Sequence, residues 1–210
     1  MLPKIILIGS PRSESIWAAS KYLTKKYLRQ FEIIYLVYEG ELNGWSAYLA
    51  DYFSKMDDEF VIFSLDDYLI STTIDMGKFN HGLSMMGKTE YLMRNPPRPM
   101  GKVVCVKLCK STFEEHRDYP VTTQYCIWNR EYLISLFLRT DSPWNFEMDG
   151  SRLFYKDGEN NYLATCIDYH CNSSLSGRWE GIRLDGLNEE DTKYITENLL
   201  PKDAITFKEY

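Results

Sequence analysis

Three short apolar runs, separated by two segments with helical spacing, fill the first third of the chain and constrain its fold more than any other feature. The runs are residues 4–9 (KIILIG), 31–39 (FEIIYLVYE) and 59–65 (EFVIFSL). Segments 13–28 and 40–56 repeat apolar side chains at helical intervals. Strand–helix–strand–helix–strand is the order of proteins in which helices cover a parallel sheet. We therefore predict an α/β fold with a single, mostly parallel central sheet flanked by helices.

The rest of the chain continues this pattern less regularly. Residues 74–100 predict a helix followed by a proline-rich loop, and residues 111–120 predict a loop. We expect Asn43 to cap the second helix, and Ser142 and Pro143 to begin a later one. Further strands are predicted at 102–108, 122–128 and 162–170, and further helices at 129–139, 141–153 and 188–200. With 210 residues and no repeat or linker composition, we expect one domain over residues 1–210.

Charge and hydropathy exclude two classes of partner. The net charge is −6 and no basic block is present, so nucleic acid is not expected as a main partner. No apolar run approaches the roughly 18 residues that a membrane span needs. The apolar N-terminal residues predict a strand rather than a signal peptide.

The chain has five cysteines and three histidines. The cysteines are residues 105, 109, 126, 166 and 171, mostly within predicted strands. Their spacing differs from that of zinc ribbons, and we predict reduced thiols in a cytoplasmic protein rather than a metal centre.

Asp66 and Asp67 follow the third predicted strand directly. In open α/β sheets ligands bind outside the carboxyl ends of the strands, and an unpaired buried carboxylate is costly. Hard carboxylate oxygens suit Mg²⁺ or Mn²⁺, so this position predicts a metal-assisted ligand site. The alternative is that one of the two aspartates caps the next turn.

Glu147 is the second carboxylate of interest because its neighbours in sequence are Trp144, Phe146 and Met148. An apolar setting would raise its pKa and suit it to work as a general base. The alternative is a solvated residue on the surface of a short helix.

Three weaker signals lie elsewhere. Arg178 belongs to a glycine-containing segment (SLSGRWEG) and could meet a phosphate. His170 follows a strand and is either a metal ligand or a structural residue. Residues 82–89 match the pattern GxxxxGKT of a phosphate loop, but no apolar strand leads into them, so we interpret the match as chance.

Taken in order, the segments GWSAYL, EFVIFSLDDYLI, TQYCIWNREYLISLFL, SPWNFEMDGS and SGRW resemble short bacterial and viral glycosyltransferase-like proteins. The resemblance runs from about residue 4 to 180, and the order of IWNREYL and SPWNFE is its most specific part. It implies the GT-A fold of nucleotide-diphospho-sugar transferases. Asp66 and Asp67 match the acidic positions that grip the diphosphate and a Mg²⁺ or Mn²⁺ ion. Tyr68 stands where many relatives carry a further acid, so it remains open whether one aspartate or both reach the ligand.

The resemblance also implies roles for other residues. Glu147 would be the base that deprotonates the acceptor hydroxyl. His170 is a further predicted metal ligand from its place after a strand rather than from the resemblance, with a structural role as the alternative. Nucleotide-sugar binding would fall to Ser10, Arg12, Trp45 and Arg178. Trp45, Trp128 and Trp144 would each shape the donor or acceptor pocket or fill the core. The resulting prediction is a hexosyltransferase that uses a nucleotide-sugar donor and a glycan or other hydroxyl acceptor. The alternatives are a non-catalytic binding protein of this fold and a metal-dependent hydrolase.

Overall fold

The computed structural model describes residues 2–92, 98–109, 119–171, 182–184, 186–200 and 206–207. Along these residues the elements are β1 Lys4–Gly9, α1 Glu14–Tyr27, β2 Ile33–Val37, α2 Trp45–Ser54, β3 Phe60–Leu65, β4 Tyr68–Ile70, α3 Met76–Met85, β5 Thr89–Leu92, β6 Arg98–Cys109, β7 Cys126–Asn129, α4 Arg130–Phe137, α5 Pro143–Asp157, β8 Asn160–Ile167, β9 Tyr169–Cys171, β10 Ile182–Arg183, α6 Glu189–Asn198 and β11 Thr206–Phe207.

The central sheet has the strand order β2-β1-β3-β7-β6-β5, with β8 also paired to β6. β1 runs parallel to both β2 and β3, and β8 runs parallel to β6. β7 is antiparallel to both of its neighbours, and β5 is antiparallel to β6. Five of the seven strands therefore point the same way, which confirms the predicted α/β class with a mostly parallel sheet.

Both faces of the sheet are buried, and strand alternation assigns each residue to one of them. In β1, Ile5 and Leu7 enter a core shared with α1, α3 and α6, whereas Ile6 and Ile8 enter a core shared with α2, α4 and α5. In β3, Ile62 joins the first core and Phe63 joins the second. Burial on both faces explains why these strands are continuous apolar runs in the sequence.

One of the two predicted helix starts is confirmed, and it is the one at which a side chain caps the helix. Ser142 Oγ accepts a hydrogen bond from the backbone N–H of Asn145 at 3.3 Å, and Pro143 occupies the first turn of α5. The prediction for Asn43 is wrong, because this residue lies inside a 3₁₀ turn, Leu42–Gly44, and Gly44 precedes α2 without a side-chain cap.

The middle of the chain departs most from the sequence-based expectation. The predicted helix is α3, but β5 and the two-stranded β4–β9 ribbon were not predicted. Gly82 lies inside α3 and Thr89 begins β5, so the GxxxxGKT pattern does not join a strand to a helix. Most of the loop predicted at 111–120 lies outside the described residues.

The four cysteines with described side chains are buried and free: Cys105, Cys109, Cys126 and Cys166. Burial raises the pKa of the Cys166 thiol to about 12, which makes its reactive thiolate scarce. Within the described ranges, no helix has both the length and the apolar character needed to cross a bilayer.

A buried carboxylate fastens the last helix to the first. Asp191 in α6 is fully buried and accepts hydrogen bonds from Lys26 Nζ (2.7 Å), Tyr22 OH (3.2 Å), Asn188 Nδ2 (2.8 Å) and the hydroxyl of Tyr27. Burial alone would raise the pKa of Asp191, but the hydrogen bonds from Lys26, Tyr27 and Asn188 outweigh it and hold the pKa below its usual value.

We expect Asp191→Asn to lower the free energy of unfolding by about 1–3 kcal/mol at pH 7, because a charged acceptor of several hydrogen bonds is lost. Because the pKa of Asp191 is lowered on folding, its contribution is present above the unfolded pKa near 4 and is lost as the pH falls below it. Urea unfolding at pH 7 and pH 3 should therefore show a gap between the two proteins that closes in acid.

Glu190→Gln is the matched control, because Glu190 is exposed and lies 3.7 Å from the same Lys26 Nζ. This change should have little effect on stability. Equal stability of the Asp191→Asn variant and the wild type at pH 7 would contradict the assigned role.

Candidate functional site

A cavity of about 850 Å³ opens at the carboxyl ends of β1, β2 and β3, a size typical of small-molecule sites. Its walls come from the segments that follow these three strands and from the first turns of α2 and α5. The lining residues are Ile8, Gly9, Ser10, Pro11, Ser13, Tyr38, Glu39, Gly40, Glu41, Leu42, Trp45, Leu65, Asp66, Asp67, Tyr68, Thr123, Pro143, Trp144 and Glu147.

The strand order places a crevice at this edge. The chain leaves β1 through α1 and joins the sheet again as β2 on one side of β1, whereas β3 lies on the other side. The segments that follow β1 and β3 therefore part from each other, and a gap opens between Gly9–Ser13 and Asp66–Asp67. Such switch points are where open α/β sheets bind ligands.

Asp66 holds the segment that follows β1. Its Oδ2 accepts a hydrogen bond from Ser13 Oγ at 2.7 Å. Ser13 Oγ in turn accepts hydrogen bonds from Ser10 N (3.1 Å) and Trp17 Nε1 (3.3 Å). Burial raises the pKa of Asp66 to about 7, although hydrogen bonds from Ser13 and Trp17 oppose the change. The sequence left open that one of the two aspartates caps the turn that follows it. Asp66 instead holds a turn that lies 53 residues earlier in the chain, through its hydrogen bond with Ser13.

Glycine is required at position 9 by this packing. A Cβ atom on Gly9 would lie 2.6 Å from Asp66 Oδ2 and 2.9 Å from Trp17 Nε1, and both distances are too short for non-bonded atoms. The absence of a side chain at the end of β1 lets the Asp66 carboxylate approach the backbone and reach Ser13.

Asp67 has a different environment. Its side chain is only 7% exposed, and Oδ1 is buried without a hydrogen-bond partner among the described residues. Burial raises the pKa of Asp67 to about 7, and the charges of Asp66 and Glu147 add to the effect. A buried polar atom without a partner is unfavourable, so this residue of the cavity lining is a candidate for contact with a ligand.

Glu147 projects from α5 into a polar setting. Its Oε1 accepts hydrogen bonds from Thr123 N (2.7 Å), Thr123 Oγ1 (2.8 Å) and Thr122 Oγ1 (3.1 Å). The expected apolar setting is wrong, because adjacent residues on a helix point in different directions: Phe146 enters the core while Met148 is exposed. Glu147 Oε2 has no hydrogen-bond partner among the described residues.

The three tryptophans considered for the pocket have different positions. Trp128 is fully buried in the core. Trp45 is 3% exposed and packs against Phe63, Phe137 and Phe146, although one edge lines the cavity. Trp144 is 57% exposed at the cavity wall. Trp45 therefore both fills the core and lines the cavity, the two alternatives that the sequence left open.

The other predicted ligands are placed only in part. Ser10 lines the cavity in extended conformation before the 3₁₀ turn that contains Arg12, whose side chain lies outside the described residues. His170 is in β9, where its backbone pairs with Leu69 of β4, and its side chain is likewise not described. Arg178 falls wholly outside the described ranges. The roles of these residues remain predictions.

The charged side chains in the described part of the cavity lining are all acidic. Glu39, Glu41, Asp66, Asp67 and Glu147 line the cavity, and the described part of the lining contains no lysine or arginine side chain. Within the described part of the chain, no group of three or more His, Cys, Asp or Glu residues could hold a metal ion. A magnesium site built from one or two carboxylates, water and substrate phosphate fits this arrangement better than a cage made of protein ligands alone.

Sequence reasoning missed Gly9, Ser13, Trp17 and Thr123. Ser13 and Thr123 are polar residues beside apolar runs, which is a weak signal in a single sequence. Gly9 was recognised only as the end of a strand, because its contact with Asp66 appears only when β1 and β3 are paired.

No protein-family model matches the chain, and no curated protein sequence matches it. Among solved structures, it is similar to a glycosyltransferase involved in the glycosylation of the major capsid of PBCV-1, with 15% identity, a TM-score of 0.43, and coverage of 84% of this chain and 87% of that one. It is also similar to the bifunctional IspDF from Campylobacter jejuni, with 12% identity, a TM-score of 0.37, and coverage of 76% and 49% respectively. Both similarities are distant.

The unfavourable setting of Asp67 predicts that Asp67→Asn stabilises the protein at alkaline pH. Because the folded pKa is raised to about 7, the folded protein keeps a proton that the unfolded chain releases above pH 4, and stability falls as the pH rises from about 4 to about 7. At pH 8 the variant should be more stable by up to about 4 kcal/mol, and at pH 4.5 the difference should be small. Urea unfolding at both pH values measures this.

Glu41→Gln is the control, since it removes an exposed acid from the same cavity and should leave stability nearly unchanged. If Asp67→Asn is no more stable than the wild type at pH 8, then the ionised Asp67 carboxylate does not destabilise the folded protein.

Proposed function

We propose that this protein is a GT-A-type glycosyltransferase that moves a hexose from a nucleoside-diphosphate sugar to an acceptor hydroxyl. The observation that carries the proposal is the meeting of Asp67 and Glu147 at one cavity, although they are 80 residues apart in the sequence. The two segments that contain them, LDDYL and SPWNFE, are those that resemble glycosyltransferases. A buried carboxylate at a strand-end crevice can hold the cation that a diphosphate leaving group needs, and a half-buried carboxylate beside it can take the proton of a reacting hydroxyl.

Glu147 would act as the general base. Three hydrogen bonds fix Oε1 against Thr122 and Thr123, so the carboxylate has a set orientation while Oε2 is left to accept a proton. An acceptor hydroxyl hydrogen-bonded to Oε2 would lose its proton to Glu147 as its oxygen attacks the sugar. Positioned general bases typically contribute about 10²–10⁴-fold to rate.

Asp67 would hold the diphosphate end of the donor through a divalent cation. When bound, Mg²⁺ or Mn²⁺ would neutralise charge on the diphosphate, which is needed in a cavity lined by carboxylates. Asp67 Oδ1 is the oxygen with no partner among the described residues, whereas Asp66 Oδ2 is already engaged by Ser13. We therefore assign the cation to Asp67 and assign Asp66 to positioning the loop after β1. Arg12 and Arg178 are further proposed ligands from the resemblance, and His170 is one from its position after a predicted strand.

A thermal-shift experiment tests the binding half of the proposal. At least one of UDP, GDP, CDP and dTDP, added with Mn²⁺, should raise the melting temperature of the wild type. At a nucleotide concentration about 100-fold above the dissociation constant of that nucleotide, the increase should be roughly 5 °C or more. Asp67→Asn should abolish this increase because the cation ligand is lost. The quantity compared between the wild type and Asp67→Asn is the increase in melting temperature on adding the nucleotide, because the melting temperatures of the two proteins without nucleotide are expected to differ.

Glu197→Gln, which removes an exposed acid of α6 outside the cavity lining, should keep the wild-type response to the nucleotide. No increase with any of the four nucleotides in the wild type would count against a sugar-nucleotide site.

Glu147→Gln tests the catalytic half. Glutamine keeps an Oε1 that accepts the Thr122 and Thr123 hydrogen bonds, so folding and nucleotide binding should be preserved, but it cannot take a proton. We expect kcat for sugar transfer to fall at least about 100-fold while the melting temperature and the nucleotide-induced increase stay unchanged.

Three results would identify a different function. Nucleotide binding with no transfer in the wild type would identify a non-catalytic binding protein. Release of free sugar without any acceptor requirement would identify a hydrolase. Unchanged transfer by Glu147→Gln would remove Glu147 as the base.

A further inference from the structure

Trp144 is a large ring whose faces are not used by the described fold. It is 57% exposed and makes no hydrogen bond or ring contact with any described residue. Trp45, by contrast, is covered by three phenylalanine rings of the core. A single exposed apolar side chain needs no explanation, but this one stands on the wall of the cavity that contains Asp67 and Glu147.

The position of Trp144 is fixed by the start of α5. Ser142 caps this helix and Pro143 occupies its first turn, so the backbone that carries Trp144 is well defined. Glu147 lies three residues further along the same helix. Side chains at this spacing are neighbours with Cβ atoms about 5–6 Å apart, a separation that one sugar ring spans.

The surroundings limit what can lie against this ring. Glu39 and Glu41, exposed carboxylates of the same cavity lining, offer acceptors for hydroxyl groups and repel an anionic group that brings no cation with it. Met148, which is 47% exposed, lies one turn beyond Trp144 on the same side of α5 and extends the apolar surface outward. An apolar face beside hydroxyl acceptors, with no described cation, matches a neutral sugar better than an anionic or purely apolar molecule.

We propose that Trp144 is the platform on which a neutral saccharide acceptor stacks, so that the acceptor of the transfer proposed above is a glycan. The C–H groups on one face of a pyranose ring lie against the indole, whose face is electron-rich. The hydroxyls at the edge of the sugar then point toward Glu147. The assignment of the sugar as acceptor rests on the proposed function, whereas saccharide binding at Trp144 does not.

Binding is tested first, without turnover. The indole N–H signal of Trp144 is identified by its loss in Trp144→Phe, and the wild type is titrated with methyl glycosides of glucose, galactose, mannose and N-acetylglucosamine. At least one of them should shift the Trp144 signal with a saturable dependence, while the signals of Trp45 and Trp128 stay in place. No response to any saccharide overturns the proposal, whether or not a nucleoside diphosphate shifts the signal.

Kinetics then test the role in transfer. Trp144→Ala should raise the KM for the acceptor at least tenfold while the KM for the donor changes less than twofold, and Trp144→Phe should recover most of the loss. Tyr155→Ala is the matched control, because Tyr155 is an exposed aromatic residue on α5 outside the cavity lining. It should behave like the wild type.

The two proposals fail separately. Transfer that is insensitive to Trp144→Ala overturns the platform and leaves the glycosyltransferase intact. A saturable shift of the Trp144 signal in a protein that transfers no sugar supports the saccharide site and overturns the proposed function.

Discussion

Two adjacent carboxylates in the turn between β3 and β4 have different surroundings, and the candidate site depends on that difference. Asp66 accepts a hydrogen bond from Ser13 and lies close to Trp17 of α1. The pKa of Asp67 is raised by burial and by the charges of Asp66 and of Glu147 on α5. Neighbours in sequence therefore have different environments, one engaged in holding a loop and one left with a partnerless oxygen.

The setting of Asp67 opposes fold stability to the cation binding proposed for it. An ionised Asp67 is unfavourable because it is buried and because the charges of Asp66 and Glu147 act on it. The same charge is what a divalent cation would need. Functional sites commonly hold groups that the fold would be more stable without.

Much of the fold could be predicted because its signals are local. The runs KIILIG and EFVIFSL became β1 and β3 almost residue for residue, and Ser142–Pro143 began α5 as expected. The prediction that Asn43 caps α2 was wrong because a cap also needs the backbone to enter the helix at that residue. Here a 3₁₀ turn that contains Asn43 precedes the helix. The short strands β4, β5 and β9 depend on pairing with distant partners, which a single sequence does not reveal.

The site was predictable in its location more than in its contacts. The strand end at Asp66 and Asp67 followed from fold class alone, but the roles of the two residues depend on Ser13 and Glu147, which come from elsewhere in the chain. The polar setting of Glu147 comes from Thr122 and Thr123, whose backbone meets α5 only in three dimensions.

The helix α1 has one further property. Near its first turn Ser13 and Trp17 meet Asp66, and at its last turn Lys26 and Tyr27 meet Asp191, so carboxylates from distant parts of the chain fasten both ends. Its 14 residues form a rod about 21 Å long. The same helix therefore fixes the position of both α6 and the loop at the cavity, two parts of the fold that come from opposite ends of the sequence.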